Sequence, residues 1–238
     1  MPIYTKKQLD SNENINEVFF MLKKGYKGIG MNGIIAKWYA KTVEKDYKEY
    51  EELANRIRKI LDGKKDILEV APGPGYLSIE LAKHSNFNVT GMDISETFVQ
   101  IANEKAKEQQ VSANFVVGNA SQMPFKEKQF DFIVCRAAFK NFSEPLQAIN
   151  EMFRVLKEGG RALIIDLRKD VKDEAIHSYV RQMNLNKVDQ IITKWTFKNM
   201  LIKRAYSIEQ IKQLANRSNF SIFRIDETST GFELWLEK

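Results

Sequence analysis

The spacing of apolar positions changes near residue 62, and that change predicts the architecture. Up to that point apolar residues recur every three or four positions, the period of a helix with one buried face. Ile15, Val18, Phe19 and Leu22 form one such face, and Ile34, Ile35, Trp38, Tyr39 and Val43 a second. Tyr50, Leu53, Ile57, Ile60 and Leu61 mark a third helix, with Gly63 as its stop. Short β-rich runs then alternate with helical stretches. Strands are predicted at Ile67–Ala71, Phe87–Asp93, Asn114–Val117, Phe130–Cys135 and Arg161–Leu167. Between them, helices are predicted from Tyr76 to Lys83, from Glu96 to Glu108, and along Leu146, Ile149, Phe153 and Leu156, ended by Gly159-Gly160. This alternation argues for a parallel sheet covered by helices on both faces. After Arg168 it stops. Residues 170–204 read as two helices, the second burying Val188, Ile191, Ile192 and Trp195. Ser207 caps a helix through Ile208, Ile211 and Leu214, and Ser221–Ile225 and Phe232–Leu236 read as an antiparallel pair flanking Gly231.

Composition narrows the class. With 238 residues, 43% of them hydrophobic and 29% charged, the chain can bury a sizeable core, which excludes a disordered, collagen-like or repeat-array protein. Val18–Leu22, the longest apolar run near the start, is too short for a membrane span or a signal-peptide core. The single cysteine, Cys135, excludes an internal disulfide and a clustered-cysteine metal site; with no metal expected, it fits a reducing, cytoplasmic setting. A net charge of 37 − 31 = +6 tolerates acidic partners without requiring them.

Two glycine-rich stretches compete as ligand loops. The literal G-x-G-x-x-G, Gly28-Ile-Gly30-Met-Asn-Gly33, follows a helical pattern and has no strand before it, so it reads as a joint between cap helices. The second stretch has the right context. Ile67-Leu-Glu-Val-Ala-Pro-Gly-Pro-Gly75 runs from an apolar strand into glycines and then into an amphipathic helix. Glycine allows a ligand close to the backbone, and the helix start offers free N–H groups to an anion. Eighteen residues past Gly75 the next strand ends in Asp93, whose carboxylate can accept both hydroxyls of a ribose.

These residues resemble a known family. Ile67–Gly75 is similar to the first motif of class I S-adenosylmethionine-dependent methyltransferases, and Asp93 matches the acid of the next. Gly118-Asn-Ala-Ser-Gln-Met-Pro-Phe125 resembles the adenine-binding segment, and Glu151–Gly160 resembles the helix and turn before strand five. Lys140-Asn141 is similar to an Arg-Asn pair in ubiquinone- and menaquinone-biosynthesis methyltransferases. The implied fold is α/β: a Rossmann-like seven-stranded methyltransferase sheet, mostly parallel with an antiparallel last strand, carrying a helical cap. One domain is expected over 1–238, with an N-terminal helical cap at 1–62, a cofactor-binding core at 63–169, a helical insertion at 170–204 and a final helix and hairpin at 205–238.

The resemblance also implies roles. S-adenosylmethionine is the expected cofactor and S-adenosylhomocysteine the product. Glu69 and the backbone of Ala71, Gly73 and Gly75 would hold its methionine end, and Asp93 its ribose. Ile94 and Met123 would sandwich the adenine, with Asn119 and Ala120 at its edge. Ala71 stands where the family usually has glycine, and Asn119 where it often has aspartate, which removes charge assistance from the adenine contact.

The expected reaction is in-line methyl transfer to a small organic acceptor, in which alignment does most of the work. A hydroxyl acceptor would also need a base. Candidate acceptor-side residues are Arg136, Lys140 and Asn141 after the fourth strand, and His177 in the insertion. For Arg136 two readings stand side by side, neutralising an acidic acceptor or pairing with a helix carboxylate. His177 reads either as a base or as a solvated helix residue. RNA methylation is a second function, suggested by Lys194, Lys198, Lys203 and Arg204 beside Trp195 and Phe197. A non-catalytic cofactor-binding protein is a third.

Overall fold

The computed structural model describes residues 25–27, 31–44, 47–63, 65–182, 187–196 and 201–238. The helix predicted along Ile15, Val18, Phe19 and Leu22 lies outside them, as do Gly28 and Gly30. Seven strands form one sheet: β1 (Lys65–Val70), β2 (Phe87–Asp93), β3 (Ala113–Val117), β4 (Phe130–Arg136), β5 (Leu156–Leu167), β6 (Ile222–Glu227) and β7 (Gly231–Glu237). Their order is β3-β2-β1-β4-β5-β7-β6. The first five are parallel; β7 runs antiparallel to both β5 and β6. Strand order reverses between β1 and β4, which opens a crevice at their carboxyl ends, the usual ligand position in such sheets.

Successive side chains on a strand point to opposite faces, so β1 and β4 feed two cores. Ile67, Phe132 and Val134 pack with Leu77 and Leu81 of α3 (Tyr76–Ala82) and with Leu53 and Ile57 of α2 (Tyr47–Ile60). Leu68, Ile133 and Cys135 pack on the other face with Ile149 and Met152 of α5 (Pro145–Val155) and Ile211 of α8 (Ile208–Arg217). Burial on both faces explains why these strands are apolar throughout. Ser207 caps α8 as expected, in a reciprocal box with Gln210. α4 (Glu96–Glu108) is started by the Ser95 hydroxyl, which accepts from Phe98 N–H.

Three expectations need correction. In α1 (Gly33–Val43) the buried residues are Ala36 and Ala40, while Ile34 is 87% exposed, Trp38 66%, and Ile35 exposed as well. Two alanines one turn apart let α1 approach α4 closely, where Tyr39 meets Phe98 edge-on, and the bulky residues are left outside. The second error is of the same kind. In α7 (Lys187–Thr196), Ile191 is 68% and Trp195 61% exposed rather than buried. Third, α5 ends at Val155, and the chain is already extended from Leu156 because that residue pairs with Phe130 of β4. Gly159 then turns with φ +72° within β5. α6 (Asp173–Gln182) precedes α7, and no described helix is long and apolar enough to cross a membrane.

Candidate active site

The β1–α3 turn begins with a left-handed residue that is not glycine. Ala71 has φ +57°, a conformation that costs an alanine about 1 kcal/mol, and its N–H is tied to the Met92 carbonyl of β2 at 2.8 Å. Such strain persists where neighbours over-determine the backbone. Gly73 (φ +55°) and Gly75 (φ +82°) continue the turn. A Cβ on Gly75 would stand 2.8 Å from both Ala102 and Phe115, so this glycine lets α3 close against α4 and β3. At Gly73 a Cβ would meet nothing within 4 Å; its backbone faces open space above the strand ends.

Two buried carboxylates lie near the ends of β1 and β2, beside this turn. Glu69 accepts from the Ser78 hydroxyl at 2.5 Å, and burial pushes its carboxyl up to about 7 against the pull of that bond. Asp93 accepts from the N–H of Gly73 and of Ser95, each at 2.9 Å. Burial still pushes it up to about 6, outweighing those N–H groups. Neither forms an ion pair with a described cation. A buried carboxylate with spare lone pairs and no ion-pair partner is suited to a ligand that brings hydroxyls and positive charge.

The segment 118–125 sits beyond the end of β3. Asn119 is buried, and its side-chain oxygen accepts from Ser121 N–H at 2.9 Å, which orients the amide. Ala120 and Met123 are buried and Ile94 is half-buried. A brace that the sequence did not reveal fixes this loop. Glu151 accepts from Met123 N–H at 2.7 Å, while Arg154 bonds Glu151 and donates to the carbonyls of Met123 (3.0 Å) and Phe125 (2.8 Å). Its sequence trace is the i, i+3 acid–arginine pair on α5.

A strap formed by Gly25, Tyr26 and Lys27 was also missed. Gly25 lies so close to Ile94 and Asn119 that a Cβ there would stand 2.7 and 2.8 Å from them. Tyr26 bridges to Phe142, Lys27 N–H donates to the Asn141 carbonyl at 2.7 Å, and Ser143 N–H donates to the Gly25 carbonyl at 3.3 Å. Farther along, the Ser95 hydroxyl lies 2.5 Å from the Met31 carbonyl, and Gly33 N–H donates to Thr97. The strap thus spans from Ile94 and Asn119 to the segment after β4.

On that second side, Lys140 and Asp166 form a buried pair. The ammonium donates to Asp166 at 2.8 Å and to the Ala137 carbonyl at 2.6 Å, and Lys140 N–H donates to the other carboxylate oxygen at 2.8 Å. Asn141 is half-buried beside it in a short 3₁₀ turn, Phe139–Asn141. Arg136 pairs with Glu49 of α2 and stacks over Tyr50, 4.5 Å from the ring centre. Of its two readings the helix-carboxylate pair is the one seen. Burial pushes the Cys135 thiol well up, so it stays protonated. His177 is exposed on α6 and is not drawn into these groups by any described bond. Of the basic–aromatic run, Phe197 and Lys198 lie outside the described residues.

Comparison with known proteins agrees with this geometry. The family described as a methyltransferase domain matches residues 68–164. A demethylmenaquinone methyltransferase of Deinococcus radiodurans is 33% identical over 117 residues, covering 49% of this chain but only 46% of that protein. The chain thus spans about half the length of that relative. The ubiquinone/menaquinone biosynthesis C-methyltransferase UbiE of Rickettsia bellii is 30% identical over 189 residues, covering 74% of this chain and 72% of that one. The chain belongs to the class I S-adenosylmethionine-dependent methyltransferases. A solved structure from Methanococcus maripaludis shares the fold, with a TM-score of 0.70 at 22% identity, covering 89% of this chain and 95% of that one. The seven-stranded sheet with its antiparallel β7 is the sheet expected of such a methyltransferase. The residues present also fit the family's cofactor: buried carboxylates in no ion pair with a described cation at the ends of β1 and β2, and open space where a Cβ on Gly73 would stand.

Proposed function

We propose that this methyltransferase moves a methyl group from S-adenosylmethionine to a small organic acceptor bound at the carboxyl ends of β4 and β5. The observation that carries this reading is the pair Glu69 and Asp93, buried beside the Ala71–Gly75 turn and in no ion pair with a described cation. When bound, the cofactor supplies a methyl on a positively charged sulfur, already activated for displacement. Asp93 would accept the ribose hydroxyls, and Glu69 with the turn backbone would hold the amino-acid end. Ile94, Asn119, Ala120 and Met123 would enclose the adenine, braced by Glu151 and Arg154. Beyond β4, Lys140 and Asp166 hold the backbone of the Ala137–Asn141 segment in one shape, so the acceptor meets a preformed wall. This is a positioning role, and alignment is the main contribution the chain can make to such a reaction. The relatives named for menaquinone and ubiquinone biosynthesis support a ring-bearing acceptor of the quinone-precursor type.

Calorimetric titration with S-adenosylmethionine and S-adenosylhomocysteine, with NAD as control, tests the reading. We expect both adenosyl ligands to bind at micromolar concentration and NAD not to bind. Binding of NAD alone, or of none of the three, would overturn it.

A further inference from the structure

Gly25 is buried, and the space around it excludes a side chain. A Cβ there would stand 2.7 Å from Ile94 Cδ1, 2.8 Å from Asn119 Oδ1 and 2.9 Å from Asn119 Cγ. The end methyl of Ile94 could swing aside. Asn119 has less freedom, because its Oδ1 is held by Ser121 N–H at 2.9 Å. Contact this close transmits displacement, since tight packing leaves no slack to absorb it.

The same strap is fastened on the opposite side of the site. The Gly25 carbonyl accepts from Ser143 N–H at 3.3 Å, Tyr26 forms an antiparallel bridge with Phe142, and Lys27 N–H donates to the Asn141 carbonyl at 2.7 Å. The Lys27 ammonium reaches the Tyr206 hydroxyl at 3.0 Å. After β4 the pair Lys140–Asp166 holds the chain as far as Lys140. Beyond it, the Asn141 carbonyl and Ser143 N–H take their backbone partners from the strap. So short a pairing opens locally unless something packs on it and keeps it closed.

We infer that Gly25 is a positioning residue that couples the two sides of the site. Cofactor seated against Ile94 and Asn119 holds the strap down, and the strap holds the 141–143 end of the acceptor wall. The coupling rests on the methyl-transfer reading above, which assigns adenine to Ile94 and Asn119, and adds an order to it. The acceptor side is firm only once the cofactor side is filled. A ligand that favours the closed form of a local equilibrium slows opening at every bond that opens with it.

The test is amide hydrogen exchange in the full chain, read residue by residue by NMR with and without saturating S-adenosylhomocysteine. In the parent the ligand should slow exchange at Ala71, Gly73 and Gly75, and slow it about tenfold at Lys27 and Ser143. Gly25→Val, which forces the strap off Asn119, should keep the protection of the turn. At Ser143 its rates with and without ligand should come within about twofold of each other. Gly25→Ala, the smaller intrusion, should cut the tenfold ratio to about threefold, and it decides the matter if urea unfolding shows the valine variant unfolded. A strap with only a structural role would speed exchange equally in both states and leave the ratio unchanged. An unchanged ratio in the variants would overturn the inference while the methyltransferase reading stands. So would a parent whose turn is protected while Lys27 and Ser143 are not. A turn that S-adenosylhomocysteine fails to protect would overturn both.

Discussion

The sheet presents two sets of buried carboxylates at the same level, and they are treated in opposite ways. At the ends of β1 and β2, Glu69 and Asp93 form no ion pair with a described cation, and burial pushes their carboxyls up to about 7 and about 6. Near the end of β5, Asp166 is equally buried but receives a lysine ammonium and two backbone N–H groups. An uncompensated buried charge is costly, and a chain keeps one where something else will compensate it. The contrast separates a place prepared for a ligand from a place that is already complete.

The contrast breaks first, and with the largest effect, at Lys140–Asp166. Lys140→Met or Asp166→Leu alone should cost about 3–5 kcal/mol in urea unfolding, since each strands the other charge. The double variant should recover most of that loss. A Lys140→Met protein as stable as the parent would show that the pair is not the lock described here. Because of this role, reduced turnover in a Lys140 variant says little about chemistry until its fold has been measured.

Asp93→Ala comes next. If Asp93 takes the ribose as proposed, its loss should weaken S-adenosylhomocysteine about 100-fold by calorimetry, on the order of two charge-assisted bonds. Affinity within a factor of three of the parent would move the ribose elsewhere.

The smallest and sharpest effect is in pH. The folded chain keeps protons on Glu69 up to about 7 and on Asp93 up to about 6, whereas the unfolded chain releases them at about 4. Between those values the folded form holds more protons, so these two groups lower stability as pH rises. The ligand-free protein should therefore melt at a lower temperature at pH 7.5 than at pH 5.5, and Glu69→Gln should flatten the slope, stabilising at pH 7.5 by about 1 kcal/mol or more. Cofactor affinity should run the other way, weakening at pH 5.5 as the carboxylates take up protons. Identical slopes in parent and Glu69→Gln would remove Glu69 from this account.

How much of this was legible in the sequence depends on how local each signal is. β1, the Ala71–Gly75 turn and Asp93 could be read because strand, glycine and acid follow one another within one βαβ unit. The Ser207 cap was equally local. α1 misled because Ile34 and Trp38 are larger than Ala36 and Ala40, and periodicity weighs size where close approach favours its absence. Leu156 was read as helix because its pairing with Phe130 is invisible along the chain. Lys140–Asp166 and Lys27–Tyr206 join residues 26 and 179 positions apart, and no spacing rule reaches that far. The strap was hidden for the same reason: its partners are Ile94, Asn119 and Phe142, and nothing in its own composition names them.

The outward-facing indoles have an optical consequence. Of the three tryptophans, Trp38 on α1 and Trp195 on α7 are exposed, while Trp235 lies half-covered in β7 against Phe132. Emission from the resting protein should be dominated by the two wet indoles and lie toward the red. Any event that covers the exposed face of α1 or α7 would shift that emission to the blue while Trp235 stays constant, so the molecule reports on these two helices without an added label.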